Sequence, residues 1–454
     1  MSAAKLWHAQ IRSAISQSWY STWSRGMHPL AQEANDALPE RIRSLLSQKG
    51  QKIFFPSKGI LGQAAEAKGR KINATIGIAL EDDGTPMRLA GLESQIQLEP
   101  KDAFPYAPSY GKPQLRDRWQ AMIREKNPAL GDAAISRPVV SQALTHALSI
   151  CGYLFLDSGD EVILPDLYWG NYRLVFAQGH EANLVTHPTF VDGGYNVAGL
   201  KEKLGAGETG KKVVVLNFPN NPTGYTCTPA EAEAIRDTLV ASAEAGNNIV
   251  VLIDDAYFGL VYEEGVYTES MFSYLADAHP GILAVKVDGA TKEDYAWGLR
   301  VGFITYGFSG AEGGALKALE DKTAGAVRGN ISNASHLSQS LLLQTYGAAE
   351  FSSWKKEKYE ILAGRYAEVK SILDAHPEYA EAFEPLPFNS GYFMCVKPLK
   401  ADAEATRQVL LSDFDTGLIA TAGLLRVAYS SAPKAVLAEL FANLYAACKK
   451  VSEG

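Results

Sequence analysis

Val213-Val214-Val215-Leu216 runs directly into Asn217-Phe218-Pro219-Asn220-Asn221-Pro222-Thr223-Gly224. The first four residues are an apolar, β-branched run of the kind that fills a strand buried on both faces. Two prolines then fix φ and withdraw backbone donors, and Gly224 opens a turn conformation closed to other residues. The strand therefore ends in a shaped loop that presents Asn221. In an open α/β sheet, ligands lie beyond the carboxyl ends of parallel strands, so an amide held there can hydrogen-bond something in the crevice. Taken alone, the loop reads equally well as a structural turn, because Asn, Pro and Gly are ordinary turn residues.

Two further strand ends follow. Ile249-Val250-Val251-Leu252-Ile253 delivers Asp254-Asp255-Ala256-Tyr257. Ile282-Leu283-Ala284-Val285 leads into Asp288-Gly289-Ala290-Thr291-Lys292, and Arg300-Val301-Gly302 comes eight positions after the lysine. From about residue 96 to 335, short β-branched runs (Glu161 to Leu164 is another) alternate with helical stretches such as Pro229 to Ala243. That alternation predicts a mainly parallel sheet with helices on both faces. Next come helical patterns over Ala334 to Tyr346 and Phe351 to Ala375, then strand candidates at Tyr392 to Val396 and Leu424 to Ala428. They predict a smaller α+β domain. At the other end, Trp7 to Leu46 sets Trp19, Tyr20, Trp23, Leu30 and Ile42 among polar spacers, the pattern of one or two amphipathic helices joined near Pro29 that pack on another element or subunit.

With 454 residues, 46% hydrophobic and 21% charged, the chain reads as an ordinary soluble protein of two or three domains. A formal charge of -8 argues against a nucleic-acid surface, so anionic ligands must be held by local sites. Cys151, Cys227, Cys395 and Cys448 lie far apart without C-x-x-C spacing, which indicates neither a metal site nor a disulfide framework. No stretch reads as a signal peptide or membrane span, and a reduced, cytoplasmic home is expected. Gly205-Ala206-Gly207-Glu208-Thr209-Gly210-Lys211-Lys212 imitates a nucleotide-binding P-loop, but it precedes a strand and ends in lysine where Ser or Thr is required. It reads as a surface turn.

The ordered series of Asn-Pro-x-Gly turn, Asp-x-x-Tyr, then Lys with Arg at plus eight resembles the class I/II aminotransferases, pyridoxal-phosphate enzymes of fold type I, and within them the aspartate aminotransferase branch most. The resemblance covers about residues 73 to 430. It implies a large cofactor domain (96–335) with a mainly parallel seven-stranded sheet, inserted between an N-terminal arm with the first part of the small domain (1–95) and the rest of that domain (336–454). Lys292 is then the amine that condenses with the cofactor aldehyde and later moves protons, with Lys286 and Lys322 as competing candidates. Asp254 faces the pyridine nitrogen, where a carboxylate keeps the ring protonated and electron-accepting, although Asp255 or a helix-capping role for Asp254 is the alternative. Tyr257 and Asn221 hydrogen-bond the phenolic oxygen, and Trp169, with Tyr168 one position away, stacks on the ring. Ala143, Leu144 and Thr145, opening a helix that runs through Ile150, match the phosphate turn, and Arg300 supplies its cation. Tyr106, five residues before Gly111, matches a tyrosine that reaches the phosphate of the neighbouring subunit, which implies a homodimer with shared sites.

Arg426 sits in the apolar run Leu424-Leu425-Arg426-Val427-Ala428, a costly position unless the charge is paired. The resemblance makes it a bidentate clamp on the substrate α-carboxylate, a role that guanidinium geometry suits, against a structural salt bridge as the plain alternative. Gly77 matches a segment lying against the substrate, where Asn221 and Trp169 also contribute. Arg328, followed by Ser332-Asn333, occupies the place of a second arginine donated across the dimer to a side-chain carboxylate. Ala334-Ser335 stands where a proline pair is usual, and Gly289 replaces a serine often found three residues before the lysine. The expected reaction moves an amino group between an L-amino acid, aspartate/glutamate-like or aromatic, and a 2-oxo acid such as 2-oxoglutarate. A β-lyase on the same scaffold and a non-catalytic cofactor-binding regulatory domain are the rivals.

Overall fold

The computed structural model describes residues 27–57 and 59–453. Its centre is a seven-stranded sheet made of β1 (Val139–Ser141), β2 (Glu161–Pro165), β3 (Asn183–His187), β4 (Lys211–Leu216), β5 (Asn248–Asp254), β6 (Ile282–Asp288) and β7 (Gly302–Gly307). The strand order is β1-β7-β6-β5-β4-β2-β3. Only β7 runs antiparallel to its neighbours; the other pairs are parallel. Val213, Val214, Val215 and Leu216 are buried, as are Ile249 to Ile253, because helices cover both faces. The covering set includes α1 (Pro113–Lys126), which precedes β1, and α2 (Ala143–Phe155) and α3 (Pro229–Glu244), which return the chain between strands; all three pack on the sheet.

Short α4 (Ala290–Glu293) precedes β7, and α5 (Gly313–Ile331), α6 (His336–Tyr346) and α7 (Phe351–Ala375) follow it. A second, four-stranded antiparallel sheet has β8 (Phe383–Pro385), β9 (Met394–Pro398), β10 (Ile419–Thr421) and β11 (Leu424–Val427) in the order β8-β9-β11-β10. Its core also takes in Ile72 and Ala74, and the two-residue strand Ile72–Asn73 pairs with Thr416–Gly417. Helix α7 spans both cores, with Leu362 in the first and Tyr366, Val369 and Ile372 in the second.

The N-terminal expectation needs correction. Trp19, Tyr20 and Trp23 lie outside the described residues. Within them the chain forms three short helices, Pro29–Asp36, Glu40–Arg43 and Gln48–Lys52, rather than one or two long ones. Pro39 lacks an N–H to continue the first, and Ser47 caps a new start by accepting from Gly50 N. Ile42 and Leu45 are exposed. Similarly, the expected strand at Tyr392 begins only at Met394, because Gly391 turns the chain with φ 74° just before it.

The turn after β4 is held from within and from below. Asn220 Oδ1 accepts from Thr223 N and Oγ1 (3.1 and 2.8 Å), and Gly224 N donates to Asn220 O (2.8 Å). Downstream, Thr228 and Glu231 form a capping box at the start of α3, and Glu231 also accepts from Tyr225 Oη and Tyr195 N. Gly224 O accepts from Asn389 N and Ser390 N (3.0 and 2.9 Å), so the turn is docked on the segment leading into β9. Gly224 has φ 72°, and a Cβ there would sit 1.9 Å from Phe393 O. Gly224→Ala is therefore expected to destabilise the fold by about 3 kcal/mol or more, since strain and overlap add. Urea unfolding measures it, and an unchanged midpoint would contradict this packing.

Candidate active site

The parallel strands place their C-terminal ends on one edge, and the residues singled out above gather there. Asp254 closes β5 and is 3% exposed. Its Oδ2 accepts from Tyr172 Oη (2.6 Å), its Oδ1 from Ala256 N (3.1 Å), and its carbonyl from Asn217 Nδ2 (2.8 Å). Burial raises its pKa, opposed by the Tyr172 hydrogen bond and the Lys292 charge. Asp255, pointing to the opposite face, is consumed by an ion pair with Lys286 and by Ser270 Oγ (2.5 Å). Lys322 is exposed.

Lys292 lies on α4, half-buried, with Nζ 5.0 Å from the centre of the Tyr257 ring. Burial pulls its pKa from 10.5 to about 8, with the Asp254 carboxylate opposing and the Arg300 guanidinium assisting. Arg300 has φ 55° and its Nη1 donates to Trp297 O (3.3 Å). Tyr257 is hydrogen-bonded to Asn221, whose N donates to Asn217 Oδ1 (2.9 Å). Burial raises the Tyr257 pKa, against the pull of Arg426.

Ala143, Leu144 and Thr145 form the first turn of α2, and Ala143 takes a left-handed φ of 61°. Gln142 gives this helix no side-chain cap, so its leading N–H groups stay available. Backbone comes very close here. A Cβ on Gly289 would lie 2.6 Å from Val301 O, and one on Gly302 would lie 2.8 Å from Ala143 C. That crowding is the physical reason glycine stands where a serine was the usual residue.

Arg426, on β11, is 3% exposed. Its Nη1 donates to Asn221 Oδ1 (3.3 Å), its Nη2 donates to Thr75 O (3.0 Å), and the group stacks on the Phe393 ring at 4.2 Å. Nε has no partner, and among the described residues no carboxylate pairs with this guanidinium. A Cβ on Gly77 would lie 4.0 Å from Phe393 Cζ. Trp169 meets Tyr172 edge-on at 5.6 Å, while Tyr168 Oη accepts from Arg173 Nε (2.7 Å).

Two predicted residues are not brought in. Tyr106 is 89% exposed. Arg328 is exposed in the last turn of α5, where its Nη1 donates to Ser332 Oγ (2.8 Å). Conversely, Tyr172, Tyr392 (whose Oη donates to Lys292 O at 3.2 Å) and Phe393 belong to the site and were not singled out from sequence. Only Tyr172 carried a signal, an aromatic three residues after Trp169.

A family model for aminotransferase class I and II matches residues 70–444. The chain belongs to this family, whose members are pyridoxal-phosphate-dependent, and its fold is that of the fold-type-I enzymes. An aspartate aminotransferase of Bacillus sp. (strain YM-2) is 24% identical over 84% of this chain and 91% of the relative. A probable N-acetyl-LL-diaminopimelate aminotransferase of Bacillus subtilis is 29% identical, but the match spans 44% of this chain and 47% of the relative. Among solved structures, an aminotransferase from Anaerococcus prevotii superposes with TM-score 0.78 at 22% identity, over 88% of this chain and 98% of the other.

The electrostatics make a prediction of definite sign. In cofactor-free protein, labelling of Lys292 by an amine reagent, followed by mass spectrometry, is expected to titrate near pH 8. Asp254→Asn should move the midpoint lower and Arg300→Met higher. Because the folded pKa lies below 10.5, the unfolded chain binds more protons between the two values. Lys292 thus makes the fold more stable as pH rises through that window. A midpoint near 10.5 in the wild type would refute the buried, cation-flanked environment.

Proposed function

We propose that the chain moves an amino group between an L-amino acid, aspartate/glutamate-like or aromatic, and a 2-oxo acid such as 2-oxoglutarate. Arg426 carries this reading. A guanidinium buried among an aromatic face, a carbonyl and an amide has no anion of its own, and leaving a charge so is costly. A substrate α-carboxylate beside Gly77 completes it bidentately.

The donor set fits pyridoxal phosphate. The uncapped N–H groups of Ala143, Leu144 and Thr145, with Arg300, suit a phosphate; Asp254 suits a pyridine N–H; Tyr257 and Asn221 suit a phenolic oxygen; and Trp169 suits the ring face. When bound, the cofactor supplies an electron sink for the bond broken at the substrate α-carbon. Lys292 would be the amine that holds the cofactor, and its Nζ would carry the substrate α-proton, for which a pKa near 8 leaves a usable share of neutral amine. Tyr172 anchors Asp254 by its 2.6 Å hydrogen bond and so fixes where that carboxylate points. Tyr392 anchors the Lys292 carbonyl.

The exposure of Tyr106 and Arg328 supports a homodimer in which each reaches the neighbouring site, Tyr106 to phosphate and Arg328 to a substrate side-chain carboxylate. The two cores support a division into two units, with 96–335 as the centre of the cofactor domain; the first core also takes in Met87, Leu89 and Leu92 before it and Leu341, Leu342, Tyr346 and Leu362 after it, so that unit reaches beyond 96–335 at both ends. Cys151, Cys227, Cys395 and Cys448 are buried and unpaired, which supports a reducing, cytoplasmic home. The relatives' names give the lyase alternative no support.

Lys292→Ala is expected to abolish transamination, and Arg426→Leu to raise the KM for amino acids about a hundredfold, with little change for amine donors that lack an α-carboxylate. A donor screen against 2-oxoglutarate measures both. Retained activity in Lys292→Ala would sink the assignment. Arg328→Ala should weaken aspartate and glutamate selectively; equal losses for alanine and aspartate would remove its proposed role.

A further inference from the structure

Immediately behind Lys292 lies a second charged assembly that the reaction as described does not use. Glu293, the next residue, is buried, and its Oε1 accepts from Lys126 Nζ on α1 (2.7 Å) and from Lys355 Nζ on α7 (3.0 Å). Asp294 is fully buried, paired with Lys355 (2.9 Å) and accepting from Tyr346 Oη on α6 (2.7 Å). Two cations thus meet two anions, and three helices grip the two residues that follow the reactive lysine. Buried ion pairs cost desolvation and seldom repay it in stability, so such an assembly calls for a positional explanation.

Beneath it, Asp288 accepts from Trp119 Nε1 (3.0 Å), and Lys286 pairs with Asp255 and Asp288. In front, on the pocket side, stand Asp254 and Arg300. The charges acting most directly on Lys292 are those of Asp254 and Arg300. Burial would raise the Glu293 carboxyl, yet Lys126 and Lys355 outweigh it and hold it well below the usual range. Lys355 is the fifth residue of α7, the helix that continues into the second core.

We propose that Lys126, Glu293, Asp294 and Lys355 are positioning residues for Lys292: an ion-paired brace that fixes the backbone carrying the reactive amine against α1 and α7. This rests on Lys292 being the reactive amine. Each imbalance then has a sign. Glu293→Gln leaves an excess cation and lowers the Lys292 midpoint; Lys355→Met leaves an excess anion and raises it, each by roughly half a unit. The double variant Glu293→Gln/Lys355→Met is neutral again and returns the midpoint toward wild type. Lys355→Arg keeps charge and donors and stays near wild type.

The test is amine labelling of Lys292 in cofactor-free protein across pH, read by mass spectrometry, together with kcat and KM of the holoenzyme. Lys355→Met should lower kcat about tenfold or more with KM little changed, because the amine is misplaced while substrate contacts remain. Midpoints that stay at the wild-type value in both single variants, with kcat intact and only Tm lowered, would overturn the brace. If Lys355→Met does not fold, Glu293→Gln and Lys355→Arg still decide by their midpoints. A wild-type midpoint near 10.5 would instead indict the reading of Lys292 itself.

Discussion

Parallel alignment of β4, β5 and β6 is the constraint on which the site depends. Leu216 pairs with Ile253 and Asp254 with Val287, so the three strands end at nearly one height. A parallel sheet forces every following loop onto the same edge, because the chain must return by a helix before the next strand begins. The Asn221 turn, the Asp254 carboxylate and α4 with Lys292 therefore face one crevice. The antiparallel β7 adds to it by direction: Gly302 pairs with Ser141 and Phe303 with Asp288, so β7 begins where β1 and β6 end. Arg300 and the N-terminus of α2 are thereby delivered to the same edge from strands running opposite ways.

The same geometry separates two neighbouring carboxylates. Side chains alternate across a strand, so Asp254 turns toward Tyr172 and Lys292 while Asp255 turns toward Lys286 and Ser270. Lys286 and Asp288, two apart on β6, share the second face and meet Asp255 there. One face of the sheet edge thus carries groups left open to a ligand, and the other carries charges that satisfy one another.

What was legible in sequence follows from this division. Strand ends announce themselves through β-branched runs broken by Asn, Pro, Gly or Asp, and spacing along one chain picks out Asn221, Asp254, Tyr257, Lys292 and Arg300, which the fold gathers at one edge. Helix α7 was legible over its full length, Phe351–Ala375, because amphipathic periodicity persists for 25 residues. Contacts that depend on tertiary placement left no such mark. Tyr172 reaches Asp254 across 82 positions, Tyr392 reaches Lys292 across 100, and Lys355 reaches Glu293 across 62. Each looks in sequence like an ordinary core tyrosine or surface lysine. The N-terminal helices failed for the opposite reason: the local breaks at Pro39 and Ser47 outweighed a weak apolar pattern that no core pulled into register.

Asn221 ties the two halves of the proposed site together. Its Oδ1 accepts from Arg426 on the second sheet, and its side chain also bonds Tyr257 at the end of β5. In the proposed reading, the amide thus spans the substrate clamp and the phenolic oxygen of the cofactor. A carboxylate arriving at Arg426 offers the guanidinium a charged acceptor in place of a neutral amide oxygen, and charge-assisted bonds are about twice as strong. In that reading the turn that ends β4 holds one amide against both the guanidinium of the second sheet and the phenol at the end of β5.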